Sequence, residues 1–185
     1  MKPRNKRHEK KILDILKNVS LFKEFADKET DLKKIIAILS EKSYTAGSYI
    51  LQEGEEGETL SILVEGKVTI LKRTLENETY TLVKLKAENT FNPFFGELAL
   101  LDSDKRSASI KADTNCRCFS IARNSFINFG NTNPKLGLAI TREISNLISQ
   151  RFRKQNKDIL LLFEALVSEI DEERAKKKVS APKLL

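Results

Sequence analysis

The sequence predicts an α+β fold: an antiparallel β-sandwich or roll, with helices on its N-terminal side and one long helix on its C-terminal side. Three observations carry the prediction. Between Tyr44 and Ile121 the apolar segments are short, β-branched and separated by glycine-bearing turns. Before and after that stretch, apolar residues recur at the three–four spacing of a helix. From Lys135 to Lys178 there is no proline, and the one glycine lies near the start, so little interrupts a helix.

Taken in order, residues 1–42 read as a basic tail followed by helices. Ile12, Leu13, Ile15, Leu16 and Val19 form one stripe, and Leu32, Ile35, Ile36 and Leu39 form a second. Helix is expected from about residue 8 to 42, interrupted by a hydrophobic turn at 21–25, with Asp27 or Thr30 as the cap of the second segment. Residues 43–122 read as the β-roll, with strands at Tyr49–Gln52, Leu60–Val64, Val68–Lys72, Tyr80–Leu85, Ala108–Ala112 and Arg117–Ile121. Gly47, Gly54, Gly57 and Gly66 fall at the turns between them. Residues 123–178 return to helix. A short segment runs from Arg123 and ends at Gly130-Asn131, and Pro134 then suits the first turn of a helix of about 40 residues, with room for a break near Asn156. Residues 179–185 form a tail.

Composition narrows the function. The chain has 185 residues, 40% of them hydrophobic and 32% charged, enough for one core with a helical appendage. No apolar run approaches the ~20 residues of a spanning helix, and the basic start has no signal-peptide core, so a cytoplasmic protein is expected. The net charge of +7 is concentrated in Lys2–Lys11 and Arg174–Lys183. Such ends are solvated tails or non-specific binders of nucleic acid or an anionic membrane surface. Neither carries the interleaved aromatics that stack on single-stranded bases. Cys116 and Cys118 alternate on a strand and point one way, as buried thiols. With His8 the sole histidine, no metal site, iron–sulfur cluster or haem is expected.

The most specific motif is Phe95-Gly96-Glu97-Leu98-Ala99-Leu100-Leu101, followed by Arg106-Ser107-Ala108-Ser109-Ile110. Gly96 permits a sharp turn and a close approach to a ligand. Leu98 to Leu101 favour a short helix, whose first amides have no partners inside it. Those amides with the planar fork of Arg106 suit a phosphate. Glu97 would repel a phosphate, and makes sense if the ligand also offers a hydroxyl such as that of a ribose.

At these residues the chain resembles the cyclic nucleotide-binding domain family, whose phosphate-binding cassette would span residues 95–110. Ala46-Gly47, Gly54-Glu55-Glu56-Gly57-Glu58 and Glu65-Gly66-Lys67-Val68 resemble the family's turns in the same order, and the resemblance covers roughly residues 21 to 165. It implies a β-roll of the jelly-roll type, also called a double-stranded β-helix. It implies that Glu97 takes the ribose 2′-hydroxyl and Arg106 the cyclic phosphate, beside Gly96 and the amides of Leu98, Ala99 and Ala108. Ser107 stands where many bacterial members place a hydroxyl on the phosphate. Lys105 departs from the family, which often has proline before the arginine. A bland alternative is that Glu97 and Arg106 form only a structural ion pair.

For the base, the resemblance implies Ile70 and Leu82 from the strands and Gln155 or Asn156 from the long helix, although solvent-exposed polar positions read equally well for the last two. The ligand expected is cAMP, chosen over cGMP by frequency in the family alone. No nucleophile–base constellation is present, so no catalytic residue is assigned. Family members that regulate transcription continue into a helix-turn-helix; here only 179–185 follow the long helix, so sequence-specific DNA binding is not expected. Ile159-Leu160-Leu161-Leu162-Phe163 is apolar on more than one face and needs cover, from its own β-roll or from a second copy, and a dimer is favoured. The reading is a non-catalytic sensor that moves its long helix to signal to an effector protein of unknown identity. The alternatives are a ligand-free scaffold acting through that helix, or a non-specific binder acting through the basic ends.

Overall fold

A computed structural model describes residues 6–88 and 90–179, with side chains through residue 172. The outermost parts of both basic ends, and the tail expected at 179–185 apart from Val179, lie outside the described residues. The chain forms two compact units, Met1–Ile144 and Ser145–Leu185. The division falls inside a helix and not at 122/123, where the change of periodicity had placed a boundary.

The first unit opens with α1 (Lys6–Lys17), a 3₁₀ turn (Ser20–Phe25) and α2 (Glu29–Ile36). Ile12, Leu13 and Leu16 of α1, Leu21, Phe22 and Phe25 of the turn, and Leu32, Ile35 and Ile36 of α2 are buried. Lys33 braces the two helices through Glu29 at 3.1 Å and Glu9 at 3.8 Å. Neither Asp27 nor Thr30 caps α2; its N-cap is Lys28, without a side-chain hydrogen bond. The helical expectation to residue 42 is also corrected. α2 stops at Ile36, and β1 (Ser40–Tyr44) pairs antiparallel with β8 (Cys116–Ala122).

Six further strands complete the roll: β2 (Tyr49–Leu51), β3 (Thr59–Glu65), β4 (Lys67–Arg73), β5 (Thr79–Lys86), β6 (Phe94–Phe95) and β7 (Ser109–Ala112). They form two four-stranded antiparallel sheets, ordered β1-β8-β3-β6 and β2-β7-β4-β5. The six strands expected from the sequence are all present, and β1 and β6 were not foreseen. Ile50, Val68, Ile110 and Ala112 from one sheet, with Leu63, Phe95, Cys116 and Cys118 from the other, make one buried cluster. The core therefore sits between the sheets, the jelly-roll arrangement. Gly66 makes the β3–β4 turn with φ +101, and a Cβ there would lie 2.6 Å from both the Asn115 carbonyl oxygen and the Cys116 sulfur.

α3 (Arg123–Thr132) follows, burying Phe126 and Phe129, and α4 (Pro134–Val179) begins two residues later. α3 does not end at Gly130. Gly130 faces Gly137 instead, where a Cβ would lie 2.7 Å from the Gly130 Cα, so the pair of glycines lets the two helices touch. Leu136, Ile140 and Ile144 of α4 are buried within the first unit. α4 shows no break at Asn156. Among the described residues no helix is long and apolar enough to cross a membrane.

Two outcomes follow for stability. Gly66→Ala combines a strained backbone with a backbone clash, and should cost at least ~2 kcal/mol in urea unfolding. Burial, aided by Cys116, pushes the Cys118 thiol up to about 12. Below pH ~8.5 both folded and unfolded chains keep this proton; above it only the folded chain does. Stability should thus fall as pH rises from about 9 toward 11, with a slope approaching ~1.4 kcal/mol per pH unit from this thiol. Cys118→Ala, less stable at neutral pH, should show a shallower decline.

Candidate functional site

The phosphate-cassette residues are brought together at one end of the roll. β6 runs out of the sheet at Phe95, and Gly96 turns the chain with φ +74, a left-handed conformation that favours glycine. A 3₁₀ turn, Glu97–Leu100, follows directly. Ala99 and Leu100 point into the protein and anchor it, whereas Leu98 is 44% exposed. Glu97 is only 3% exposed, uncommon for a carboxylate and a sign that its position is built in.

Arg106 reaches this turn from the other arm of the cassette. Its backbone is held by the β2–β3 loop: the Arg106 amide donates to the Glu55 carbonyl at 2.7 Å, and the Gly54 amide donates to the Arg106 carbonyl at 2.9 Å. Its side chain passes between two glycines. A Cβ on Gly57 would lie 3.0 Å from Nε, and one on Gly96 would lie 2.7 Å from Nη1. Nη2 donates to the Thr59 carbonyl at 2.8 Å and the Thr59 hydroxyl at 3.0 Å, while Nη1 donates to the Gly96 carbonyl over a long 3.4 Å.

Burial pulls the Arg106 pKa down, and the charges of Glu97, Glu55 and Tyr44 push it back up. An arginine stays charged even so. The result is a half-buried guanidinium, electrostatically coupled to a buried carboxylate and held at its rear by main-chain oxygens. A guanidinium has five N–H donors, more than these bonds use, so a planar anion can still be gripped.

Ser107 is exposed and Ala108 half-buried. The Ser107 carbonyl accepts from Lys72 Nζ at 2.6 Å, and Lys72 also pairs with Glu53 at 2.7 Å. Ser109, the next strand residue, accepts from the Glu53 amide at 2.9 Å. Thr59, Gly57, Lys72 and Glu53 were not foreseen as site residues, because their roles come from cross-loop packing and leave no spacing signal. The two glycines flanking Thr59's loop, Gly54 and Gly57, were the only hint.

The base-facing candidates are less gathered. Ile70 packs against the core cluster and pairs with Ile110 and Val83. Leu82, 52% exposed, falls in an irregularity of β5, so Val83 and not Leu82 stands opposite Ile70. Gln155 and Asn156 belong to the second unit and are exposed. Among the described residues there is no group of three His, Cys, Asp or Glu side chains able to hold a metal ion.

The jelly roll thus closes one end with a glycine turn, a buried glutamate and a half-buried arginine. The chain belongs to the cyclic nucleotide-binding domain family, whose model matches residues 41–133. It is 36% identical over 135 residues to the human cGMP-dependent protein kinase 2, a match that takes in 72% of this chain and 17% of the kinase. It thus spans about a sixth of that relative's length, over the regulatory part alone. Among solved structures, the Thermus thermophilus catabolite activator protein superposes with a TM-score of 0.66 at 26% identity, covering 77% of this chain and 62% of that one. A cyclic nucleotide-binding domain from Methylobacillus flagellatus superposes with a TM-score of 0.68, covering 83% of each chain at 23% identity.

Thr59 gives a direct check of this geometry. Thr59→Val removes one acceptor from a half-buried cation, and should cost about 1 kcal/mol in urea unfolding. No change in stability would show that the hydroxyl does not hold Arg106.

Proposed function

We propose that this protein is a non-catalytic, intracellular sensor of a cyclic mononucleotide. The observation that carries the reading is a buried Glu97 whose charge acts on the half-buried Arg106, beside the left-handed Gly96. An ion pair made only for structure gains little from being half-desolvated. A pocket for a phosphate and a sugar hydroxyl gains a great deal, because a charged fork in low dielectric binds an anion strongly. Arg106 grips the cyclic phosphate, with Ser107 and the amides of Leu98, Ala99 and Ala108 around it. Glu97 accepts a hydrogen bond from the ribose 2′-hydroxyl.

These groups read phosphate and sugar, which cAMP and cGMP share. Family frequency favours cAMP, whereas the human relative is named for cGMP. Ile70, with Val83 or Leu82, supplies an apolar strand surface for the purine. Signalling then consists of a change in α4 that an effector protein reads. The ligand drives such a change only by binding one conformation better than the other.

Isothermal titration of cAMP and cGMP into protein freed of carried-over nucleotide tests the reading. Saturable binding of at least one of them, near one per chain, is expected. Arg106→Leu should weaken it by at least about tenfold, since a charge-assisted hydrogen bond is worth roughly 1.5–3 kcal/mol. Glu97→Ala should weaken it by a smaller, measurable factor. Absence of heat and of any thermal shift with both nucleotides would overturn the assignment.

A further inference from the structure

The outer face of the β2-β7-β4-β5 sheet gathers lysines in a pattern that folding alone disfavours. Val68, Ile110 and Ala112 point into the core, so their neighbours Lys67, Thr69 and Lys111 point outward. The register sets what stands beside them. Tyr49, Lys111, Thr69 and Lys84 form one row across all four strands. In the next row of that face Lys67 stands directly opposite Lys86. Like charges opposite one another destabilise a sheet. Glu88 lies 3.6 Å from Lys86, but among the described residues Lys67, Lys84 and Lys111 make no ion pair. Asp113 is set among the lysines, and its carboxylate accepts from the Thr69 hydroxyl at 2.8 Å.

The surroundings of these lysines say which polyanion fits. Acids lie beyond them at both ends of the strands: Glu88 just after β5, and Glu76 and Glu78 about the β4–β5 turn. The cations therefore make a strip that runs across the strands, ~14 Å from β2 to β5 at ~4.8 Å per strand. A planar anionic surface would meet the bordering acids as well as the lysines. A linear polyanion lying along the strip meets the lysines with only Asp113 between them. Tyr49 ends the row, 44% exposed, with Lys111 Nζ 5.9 Å from its ring centre. An aromatic face beside a cation suits a base and its phosphate.

We propose that this strip binds single-stranded nucleic acid through its phosphate backbone, without reading sequence. Lys67, Lys84, Lys86 and Lys111 take the phosphates, and Tyr49 offers its ring to one base. The strip stands independently of the ligand held at Arg106.

Fluorescence anisotropy of a labelled oligothymidylate, titrated with the full chain, tests the strip. Saturable binding that falls steeply with salt is expected, with a loss of at least about tenfold in Lys84→Gln/Lys111→Gln. That variant should also lower the slope of log affinity against log salt by about 0.7 for each contact removed. Asp113→Asn, which keeps an acceptor for Thr69, should tighten binding. Lys6→Gln/Lys10→Gln makes the same change of charge on α1, and should weaken binding by no more than about twofold. Equal losses from the two double variants would overturn the proposal in favour of net charge acting alone. Adsorption to vesicles of phosphatidylserine and phosphatidylcholine without binding of the oligonucleotide would overturn it in favour of a membrane surface. Binding of neither would leave the lysines to solvent and overturn it outright.

Discussion

A positive charge half withdrawn from water must be answered on every side, and the site is arranged around that requirement at Arg106. The Thr59 and Gly96 carbonyls answer it from behind, and Glu97 and Glu55 answer it through the field. With Arg106 itself, these groups sit on four segments. The β2–β3 loop, the start of β3, the turn after β6 and the strap before β7 therefore have to converge. Two of the convergences are possible only because Gly57 and Gly96 have no side chain to collide with the arginine. The cassette is thus less a loop that happens to carry an arginine than a set of loops fitted to one.

The remainder of the roll supplies the rigidity this fit needs. Eight strands enclose one apolar cluster, and β7 leaves the site directly into it through Ile110 and Ala112. Lys72 links Glu53 to the Ser107 carbonyl, tying β4 to both arms that hold Arg106. Arg106 is therefore held in place by contacts made within the protein itself.

The sequence made some of this plain. The segment from Phe95 to Ile110 was legible because its residue types are unusual together and their chemistry converges on one kind of ligand. The strands with an alternating or buried apolar pattern were legible for the usual reason, period two. β1 was not, since Ser-Glu-Lys-Ser-Tyr is polar on both faces and lies at a sheet edge, so nothing in its pattern separates it from the end of a helix. β6 is too short, at two residues, to show any period. The β5 irregularity, which leaves Leu82 as the extra residue and sets Val83 opposite Ile70, has no signature in the sequence pattern. Thr59 acts on Arg106 across 47 positions of chain, beyond the reach of any local pattern. The division of α4 between two units was hidden because its helical period simply continues past Ile144.

The irregularity in β5 has another side. β5 is the outermost strand of its sheet, and the amides and carbonyls along such a margin will accept a further strand from any neighbouring molecule. Here the extra residue breaks the even spacing that a newcomer would have to match, and Lys84 and Lys86 line the strand with charge. Both features disfavour extension of the sheet from molecule to molecule along that margin. That margin is therefore a poor template for the shared-backbone stacking that builds fibrous aggregates.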